Sequence, residues 1–511
     1  MIDSIKLKHN KPLGCEGDGA MSKTGYAIQE YHDTKKIYEQ LNNLIKQPIR
    51  HLKPEAMKRC LSYFTEKCQK SKAMIDEAKK YIPGGIQHNL AFNYPHPLVF
   101  VQARGAHLTD IDGNTYIDFL QAGGPTVLGS NPDSVRKKIV DLLESCGPVT
   151  GLFHEYEMKL AKFICDRFSG VDLFRMLGSG TEADMAAIRV ARLATKKKHI
   201  IKMGGAYHGW SDQLSYGMRI PGTGSLESHG IPKSCFKYTS EVYPNDIASL
   251  EKKLSLNRFR GGTAAVLVEP LGPESGTRPV DYDYNKKVRE LCDRFGALLI
   301  FDEVVTAFRV GIDGAQGYFG VVPDLTVFGK VVAGGYPSAG GLGGKEQYMA
   351  YIAGGIGGKK SKQAHVGGTL AANPLSSAAG YYTVKEIEET NACEKAGRAG
   401  DRLTLGLQAI MKKYDLPFVV YNQGSICHLE TVGTMLFDIN LFKPWQIPGR
   451  LKEIHARKDV MTHMGAAYMS EGLVTLAGSR LYTSAADTDE IIDDALTRFD
   501  RVFAQIQGVR S

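Results

Sequence analysis

The chain has 511 residues, with 63 Lys+Arg against 55 Asp+Glu, a formal net charge of +8, 43% hydrophobic and 23% charged residues. That length carries two or more domains around a large core, and the composition is that of an ordinary soluble globular protein. The mild charge, without internal repeats or a basic stripe, argues against nucleic-acid binding and a structural repeat role, and no apolar stretch approaches the length of a membrane span.

The nine cysteines are scattered and form no CxxC pair. Reduced thiols and a cytoplasmic location are the expectation. The start, MIDSIKLKHNKPLGCEG, lacks the apolar core of a signal peptide. Lys196, Lys197 and Lys198 follow a predicted helix and complement its C-terminal dipole.

Residues 1 to about 50 are polar and weakly periodic, and Gly14 to Gly19 reads as loop. A flexible tail and an arm packed on a partner subunit are both open for this stretch. Pro54 to Tyr81 is helical in pattern, with Pro54 in the first turn and Pro83-Gly84-Gly85 as the stop. In Pro97 to Leu120, strand-like runs flank Arg104-Gly105 and Asp112-Gly113, which predicts hairpin turns.

From about Pro132 helix and strand alternate, as in a doubly wound α/β domain. Glu155 to Phe168 is helical and Phe174 to Leu177 a short strand. Gly178-Ser179-Gly180-Thr181 then opens a helix to about Ala194. Amides freed at such a helix start form an anion site, although an isolated GSGT is equally a glycine turn with a Thr cap. Ile200 and Ile201 begin a strand ending in Gly204-Gly205-Ala206-Tyr207-His208-Gly209. Gly222 to Lys233 is rich in Gly, Ser and Pro. Ala264 to Val268 is a buried strand ending at Glu269-Pro270, with Glu274 close behind, and Asp283 to Phe295 is a helix.

Two apolar runs then each deliver one charged residue. Ala297 to Phe301 ends in Asp302, and Leu325 to Phe328 is followed by Gly329 and Lys330. Such runs read as strands buried on both faces of a parallel sheet, where the ligand crevice lies at the carboxyl ends. Asp302 and Lys330 would meet at one mouth. A lysine amine forms a Schiff base with a carbonyl, and an aspartate can keep a pyridinium nitrogen protonated, which makes pyridoxal phosphate an electron sink. Taken singly, the Asp is a helix cap and the Lys is solvated. Beyond them, Gly354 to Lys360 is loop, Pro374 to about Glu388 a helix, and Asp487 to Phe503 a final amphipathic helix.

The segments FDEVVTAFR, PDLTVFGK and the glycine run after it resemble the class III (fold type I) pyridoxal-phosphate aminotransferases, above all their glutamate-1-semialdehyde aminomutase branch. The resemblance runs from about Tyr81 to the C-terminus. It implies an α/β fold: a large, doubly wound, mostly parallel sheet domain at 131–389 and a small α+β domain built from 81–130 and 390–511. An extension and helix at 1–80 precede them. The resemblance assigns Gly180 and Thr181 of SGTEA to the phosphate and Tyr207 of YHG to stacking on the pyridine ring, with His208 structural. It places Gly123-Gly124-Pro125 and Leu128-Gly129 in a loop reaching the cofactor, and Gly222 to Lys233 in a mobile lid. Thr369, within the His365 to Thr369 and Asn373-Pro374 segment, would cross a homodimer interface to the neighbouring phosphate.

The implied reaction moves an amino group between an amine donor and a keto or aldehyde acceptor through a Lys330 Schiff base, with the freed lysine amine carrying the proton. An aminomutase keeps one molecule for both halves, so cofactor motifs separate transaminase neither from aminomutase nor from racemase or epimerase. Two departures bear on this. The aminomutase pattern has an arginine shortly after its PGG turn; here the segment is Pro83-Gly84-Gly85-Ile86-Gln87-His88-Asn89-Leu90, and His88 is the nearest candidate cation for a substrate carboxylate. The same pattern has asparagine where this chain has Glu274, which resembles transaminases that use glutamate and 2-oxoglutarate. Arg480, in LAGSRLYTSAAD, is the closest arginine to the family's carboxylate-binding segment. Glu274 and Arg480 are expected to pair when no dicarboxylate is bound, the open alternative being a structural surface arginine and a glutamate that caps a turn, and transaminase ranks above aminomutase. A non-catalytic binder on this fold would be expected to lose Lys330 or Asp302, and both are present.

Overall fold

The computed structural model describes residues 24–147, 151–354, 362–437, 439, 444–476 and 478–508. The loop expected at Gly14 to Gly19, and most of that at Gly354 to Lys360, lie outside them. Among the described residues no helix is long and apolar enough to cross a membrane.

The chain begins its small domain with β1 (Phe100–Arg104), β2 (His107–Asp110) and β3 (Thr115–Asp118). The expected turns are there: β1 pairs antiparallel with β2, and β2 with β3. Gly105 (φ 56°) and Gly113 (φ 91°) take the left-handed conformations those turns require. The large domain then supplies β4 (Leu173–Leu177), β5 (His199–Met203), β6 (Thr239–Val242), β7 (Thr263–Val268), β8 (Leu298–Asp302), β9 (Leu325–Gly329) and β10 (Gly340–Gly344). They form one seven-stranded sheet in the order β4-β10-β9-β8-β7-β5-β6. β6, β5, β7, β8 and β9 run parallel, and β10 is antiparallel to both of its neighbours. β10 is Gly-Gly-Leu-Gly-Gly, a composition depleted in strands. Glycine is required because a Cβ on Gly340 would collide with the Ser179 backbone, and one on Gly341 would meet the Phe174 ring.

Helices cover both faces. Gly180–Thr195 packs on β7, β9 and β10, while Ile247–Arg258 and Tyr284–Phe295 cover the other side. Each face has its own core, Ala187, Ile188, Ile300 and Val327 on one and Val266, Val288, Leu299 and Phe301 on the other. The fully buried β7, β8 and β9 account for the continuous apolar runs in the sequence.

The C-terminal part adds β11 (Val419–Gln423), β12 (Ile426–Glu430), β13 (Leu473–Val474) and β14 (Arg480–Tyr482). β13 pairs in parallel with β3, so N- and C-terminal segments share one sheet, and β11-β12-β14 form another. The helical stretch expected at Pro54 to Tyr81 is two helices, Pro54–Lys67 and Gln69–Ala78, broken at buried Cys68. The Asp112 carboxylate causes the break: it accepts from Lys70 N (2.8 Å), Ser71 N (2.9 Å) and Ser71 Oγ (2.8 Å), capping the second helix against the hairpin turn.

Residues 24–50 hold more order than their polar composition suggests, and they pack on their own chain. Ala27 N donates to Val310 O (2.7 Å), and the Tyr26 and Tyr31 hydroxyls donate to Asp313 (2.8 Å) and Val280 O (2.7 Å) of the large domain. Ala27 also sits against Gly397 and Gly424, where a Cβ would overlap its backbone. Helix Thr34–Lys46 follows, capped by Asp33, and buries Ile37, Leu41 and Leu44 in the small-domain core. These three sit at i, i+4 and i+7, a narrow stripe among charged residues. Leu41 is 0% exposed, and Leu41→Ala should cost about 2–5 kcal/mol in denaturant unfolding. An unchanged midpoint would mean that the arm contributes nothing to the fold.

Candidate active site

Four parallel strands deliver their chemistry at one edge of the sheet. Asp302 ends β8 opposite Val327 of β9, and Lys330 follows β9 directly. Val268 of β7 pairs with Phe301, which brings Glu269 beside Asp302. Beyond β5 the chain turns through Tyr207 and His208. Asp302 is 5% exposed. Its Oδ1 accepts from Val304 N (3.0 Å), and its Oδ2 lies 2.6 Å from His208 Nδ1. Burial lowers the His208 pKa and Asp302 opposes that, so a neutral imidazole donating from Nδ1 fits the pair. His208, read from the sequence as structural, is thus the immediate partner of Asp302.

Lys330 has a left-handed backbone (φ 48°). Its Cδ and the Tyr482 ring both lie 3.6 Å from where a Cβ on Gly124 would stand, so the glycine leaves the space between them open. Val304 forms a floor between the end of β9 and the start of helix Gly180–Thr195: a Cβ on Gly329 would lie 2.7 Å from it and one on Gly180 2.8 Å. Ser179, rather than Thr181, is the N-cap, its Oγ accepting from Glu182 N (3.3 Å). Ser179 O accepts from Ala183 N, so the Gly180 and Thr181 amides precede the first bond of the helix, where an anion is best held. Thr181 Oγ1 fills the place a Cβ would take on Gly209, joining this turn to the one carrying Tyr207 and His208.

A second carboxylate ties the mouth together. Glu269 Oε1 accepts from Tyr207 N (3.1 Å) and Glu274 N (2.9 Å), and Oε2 from Ser275 N (2.6 Å). Burial, with Asp302 next, pushes its carboxyl up to about 8. Glu274 and Ser275 are both left-handed (φ 46° and 53°). Glu274 Oε2 then meets Arg480 Nη2 at 2.7 Å, the pairing expected from sequence, and Arg480 also reaches Thr277 Oγ1 (3.3 Å). The Arg480 and Glu274 side chains are 14% and 22% exposed. Burial works against the Arg480 charge, and Tyr482 and Glu274 more than restore it, holding its pKa above the usual arginine range.

The remaining expected residues sit as follows. Tyr207 is half exposed with its backbone held by Glu269. Thr369 is exposed, on a loop that Arg189 Nη1 ties through His365 O (2.6 Å). His88 is exposed, and its Nδ1 accepts from Leu90 N (3.1 Å). The segment Gly222 to Lys233, expected as a lid, is tethered: Gly222 N and Gly224 N donate to Glu241 (3.0 and 3.2 Å), and Ser228 Oγ to Ser215 O (2.8 Å).

The sequence profile of the family described as aminotransferase class-III matches residues 90–453. The chain belongs to the class III aminotransferases. It is 39% identical over 440 residues to glutamate-1-semialdehyde 2,1-aminomutase 2 of Halalkalibacterium halodurans, covering 85% of this chain and 99% of that protein. It is 34% identical over 456 residues to the glutamate-1-semialdehyde 2,1-aminomutase of Bacillus subtilis, covering 86% and 98%. An omega-transaminase from Sphaerobacter thermophilus shares the fold at a TM-score of 0.75 and 24% identity over 86% of this chain and 99% of that one. A structure titled "Transaminase with PLP bound" superposes at a TM-score of 0.74 and 25% identity over 86% and 98%. The arm at 24–50 lies outside the family match.

One site residue of this class III aminotransferase that sequence reading passed over is Lys202. It is fully buried in β5, and its Nζ donates to the carbonyls of Ala206 (2.8 Å), Leu214 (3.1 Å) and Tyr216 (3.0 Å), which fixes the turn carrying Tyr207 and His208. The available signal was a lysine inside the apolar run HIIKM. Glu269 is the other. Its folded carboxyl titrates near 8, against about 4.3 in the open chain. The stability it contributes is full below the lower value and lost as pH rises through the higher. Glu269→Gln cannot titrate. It should show a shallower fall in stability from pH 5 to 8. Parallel pH profiles for the two proteins would contradict the assignment.

Proposed function

We propose that this enzyme holds pyridoxal 5'-phosphate at the mouth described and transfers an amino group between glutamate or 2-oxoglutarate and a partner lacking an α-carboxylate. The site fits that cofactor in its donor set and its glycine-lined space. The Gly180 and Thr181 amides, with the Thr181 hydroxyl, hold the phosphate; Tyr207 stacks on the ring; Asp302 keeps a proton on the ring nitrogen. When bound, the cofactor supplies a carbonyl for the amine and a ring that takes up an electron pair. Lys330 anchors it, and its amine then carries the proton to and from the substrate carbon. The left-handed backbone of Lys330 and the open space at Gly124 aim and free that side chain.

The observation that carries the substrate reading is the Glu274–Arg480 pair. A charged arginine left alone in a dry pocket is costly, and the glutamate offsets that cost. When glutamate enters, its α-carboxylate takes Arg480 and Glu274 swings away. A substrate without that group meets the closed, neutral pair. The names of the sequence relatives favour a second reading, a 2,1-aminomutase. Against it stand the missing arginine after Pro83-Gly84-Gly85 and the Glu274 pair itself. The two half-reactions, measured separately, decide between them. Arg480→Ala should slow the glutamate half-reaction about 10- to 100-fold, the worth of a charge-assisted bond, and the other half far less. Glu274→Ala should ease glutamate entry and impair the carboxylate-free partner. Equal effects on both halves, or indifference to glutamate and 2-oxoglutarate, would remove the gate and put the aminomutase ahead.

The working unit we propose is a homodimer in which Thr369 reaches the neighbouring phosphate. Leu152, Phe153, Trp210 and Leu370 are 71%, 78%, 77% and 58% exposed, and Trp210 and Leu370 flank the His208 turn and Thr369. Exposed large apolar side chains are what a subunit seam covers. Sedimentation should give twice the chain mass, and Phe153→Glu should shift it toward monomer with loss of activity. A fully active monomer would contradict the shared site.

A further inference from the structure

Asp184 stands one turn into helix Gly180–Thr195 and is 1% exposed. Its Oδ1 is buried without a hydrogen-bond partner, and so is His208 Nε2. Polar atoms of Asp184, His208 and Asp302 all lie within 4.8 Å of one another. The charges around Asp184 are those of Asp302, Glu269 and Lys202.

Two carboxyls in one dry space do not both ionise. Asp302 has the stronger claim to the charge, with a backbone amide on one oxygen and the imidazole on the other. Asp184 is left as the neutral acid, and burial followed by Asp302 holds its pKa well above the carboxylate range. A protonated carboxyl has one O–H to donate. With His208 Nδ1 committed to Asp302, the ring atom of His208 left to accept is Nε2, buried and without a partner.

We propose that Asp184 is a positioning residue that donates to His208 Nε2, through a small side-chain rotation or one bridging water, and so holds the imidazole as the Nδ1–H tautomer. The order of protons then runs Asp184 O–H to His208 Nε2, and His208 Nδ1–H to Asp302. The Asp302 charge is kept for whatever cation stands above it. The last step rests on the proposed cofactor, whose ring nitrogen would be that cation; the tautomer does not.

The test compares wild type, Asp184→Asn and Asp184→Leu as holoenzymes, labelled with ¹⁵N-histidine. Wild type should show His208 neutral with its proton on Nδ1. Asp184→Asn, whose NH2 can still donate to Nε2, should keep that tautomer. Asp184→Leu should mix tautomers. A second reading is the pH midpoint of the lysine-bound cofactor's visible band. A proton on the ring nitrogen repels one on the lysine nitrogen, so a weaker Asp302 raises the midpoint. The expected rise is about one pH unit in Asp184→Leu and under about 0.3 in Asp184→Asn. A charged or Nε2–H His208 in wild type overturns the proposal. So does an Asp184→Leu protein that matches wild type in both readings, or a stoichiometric metal ion in the purified protein. If Asp184→Leu does not fold, the wild-type tautomer decides. Absence of any visible band after incubation with pyridoxal phosphate would refute the cofactor reading and leave the histidine spectra to judge Asp184.

Discussion

A buried carboxyl group governs this site. Asp302 lies at the carboxyl end of β8 with almost no contact with water, one oxygen accepting from the Val304 amide and the other facing the His208 imidazole. An uncompensated buried carboxylate would neutralise itself by taking a proton. The surroundings of Asp302 hold its partners in place. Lys202 pins the turn that presents His208, Thr181 packs against Gly209 beside it, and Glu269 anchors the amide of Tyr207. The Asp302 carboxyl is therefore held in one place before any ligand arrives, and the cation proposed to stand over it would be its natural complement.

Around this carboxyl the two domains are stitched by a buried charge. Arg309, from the FDEVVTAFR segment, is fully buried and donates to Gly124 O (2.7 and 3.0 Å), Gln121 Oε1 (3.0 Å), Ser425 Oγ (3.0 Å) and Thr483 O (2.9 Å). Burial lowers its pKa to about 10, which leaves it charged at neutral pH. One large-domain side chain thus holds both small-domain segments and sets Gly124 beside Lys330. The arm at 24–50 spans the same boundary from outside the family match, bonding Val310 and Asp313 on one side and packing on Gly397 and Gly424 on the other. Such a clamp fixes where β14 lies, and Arg480 is the first residue of β14.

The parts legible in the sequence share a physical reason. Strands buried on both faces leave unbroken apolar runs, so β7, β8 and β9 and the charges at their ends could be placed before any coordinates. The Glu274–Arg480 pair was reached through family likeness and two departures from it, and the ion pair stands at the expected residues. What escaped notice depends on contacts far apart in sequence. His208 and Asp302 are 94 residues apart, and nothing local in Tyr-His-Gly marks the histidine as a carboxylate's partner. Lys202 and Asp184 are polar residues in apolar surroundings whose partners come from other turns. The glycine strand β10 defied propensity because its packing leaves no room for side chains. The helix at 34–46 shows only a narrow stripe of three apolar residues, and its stability comes from the core it covers.

The protonation of the proposed cofactor's ring nitrogen tests the central claim most directly. Pyridoxal phosphate labelled with ¹⁵N in the ring, bound to the intact enzyme, reports that state by its chemical shift. A pyridinium signal that persists well above the pH at which the free cofactor loses its proton is the result expected if Asp302 is a fixed, ionised pole. A neutral pyridine signal at pH 7 would show that the buried aspartate does not hold its charge, and the account of the site built on it would fall.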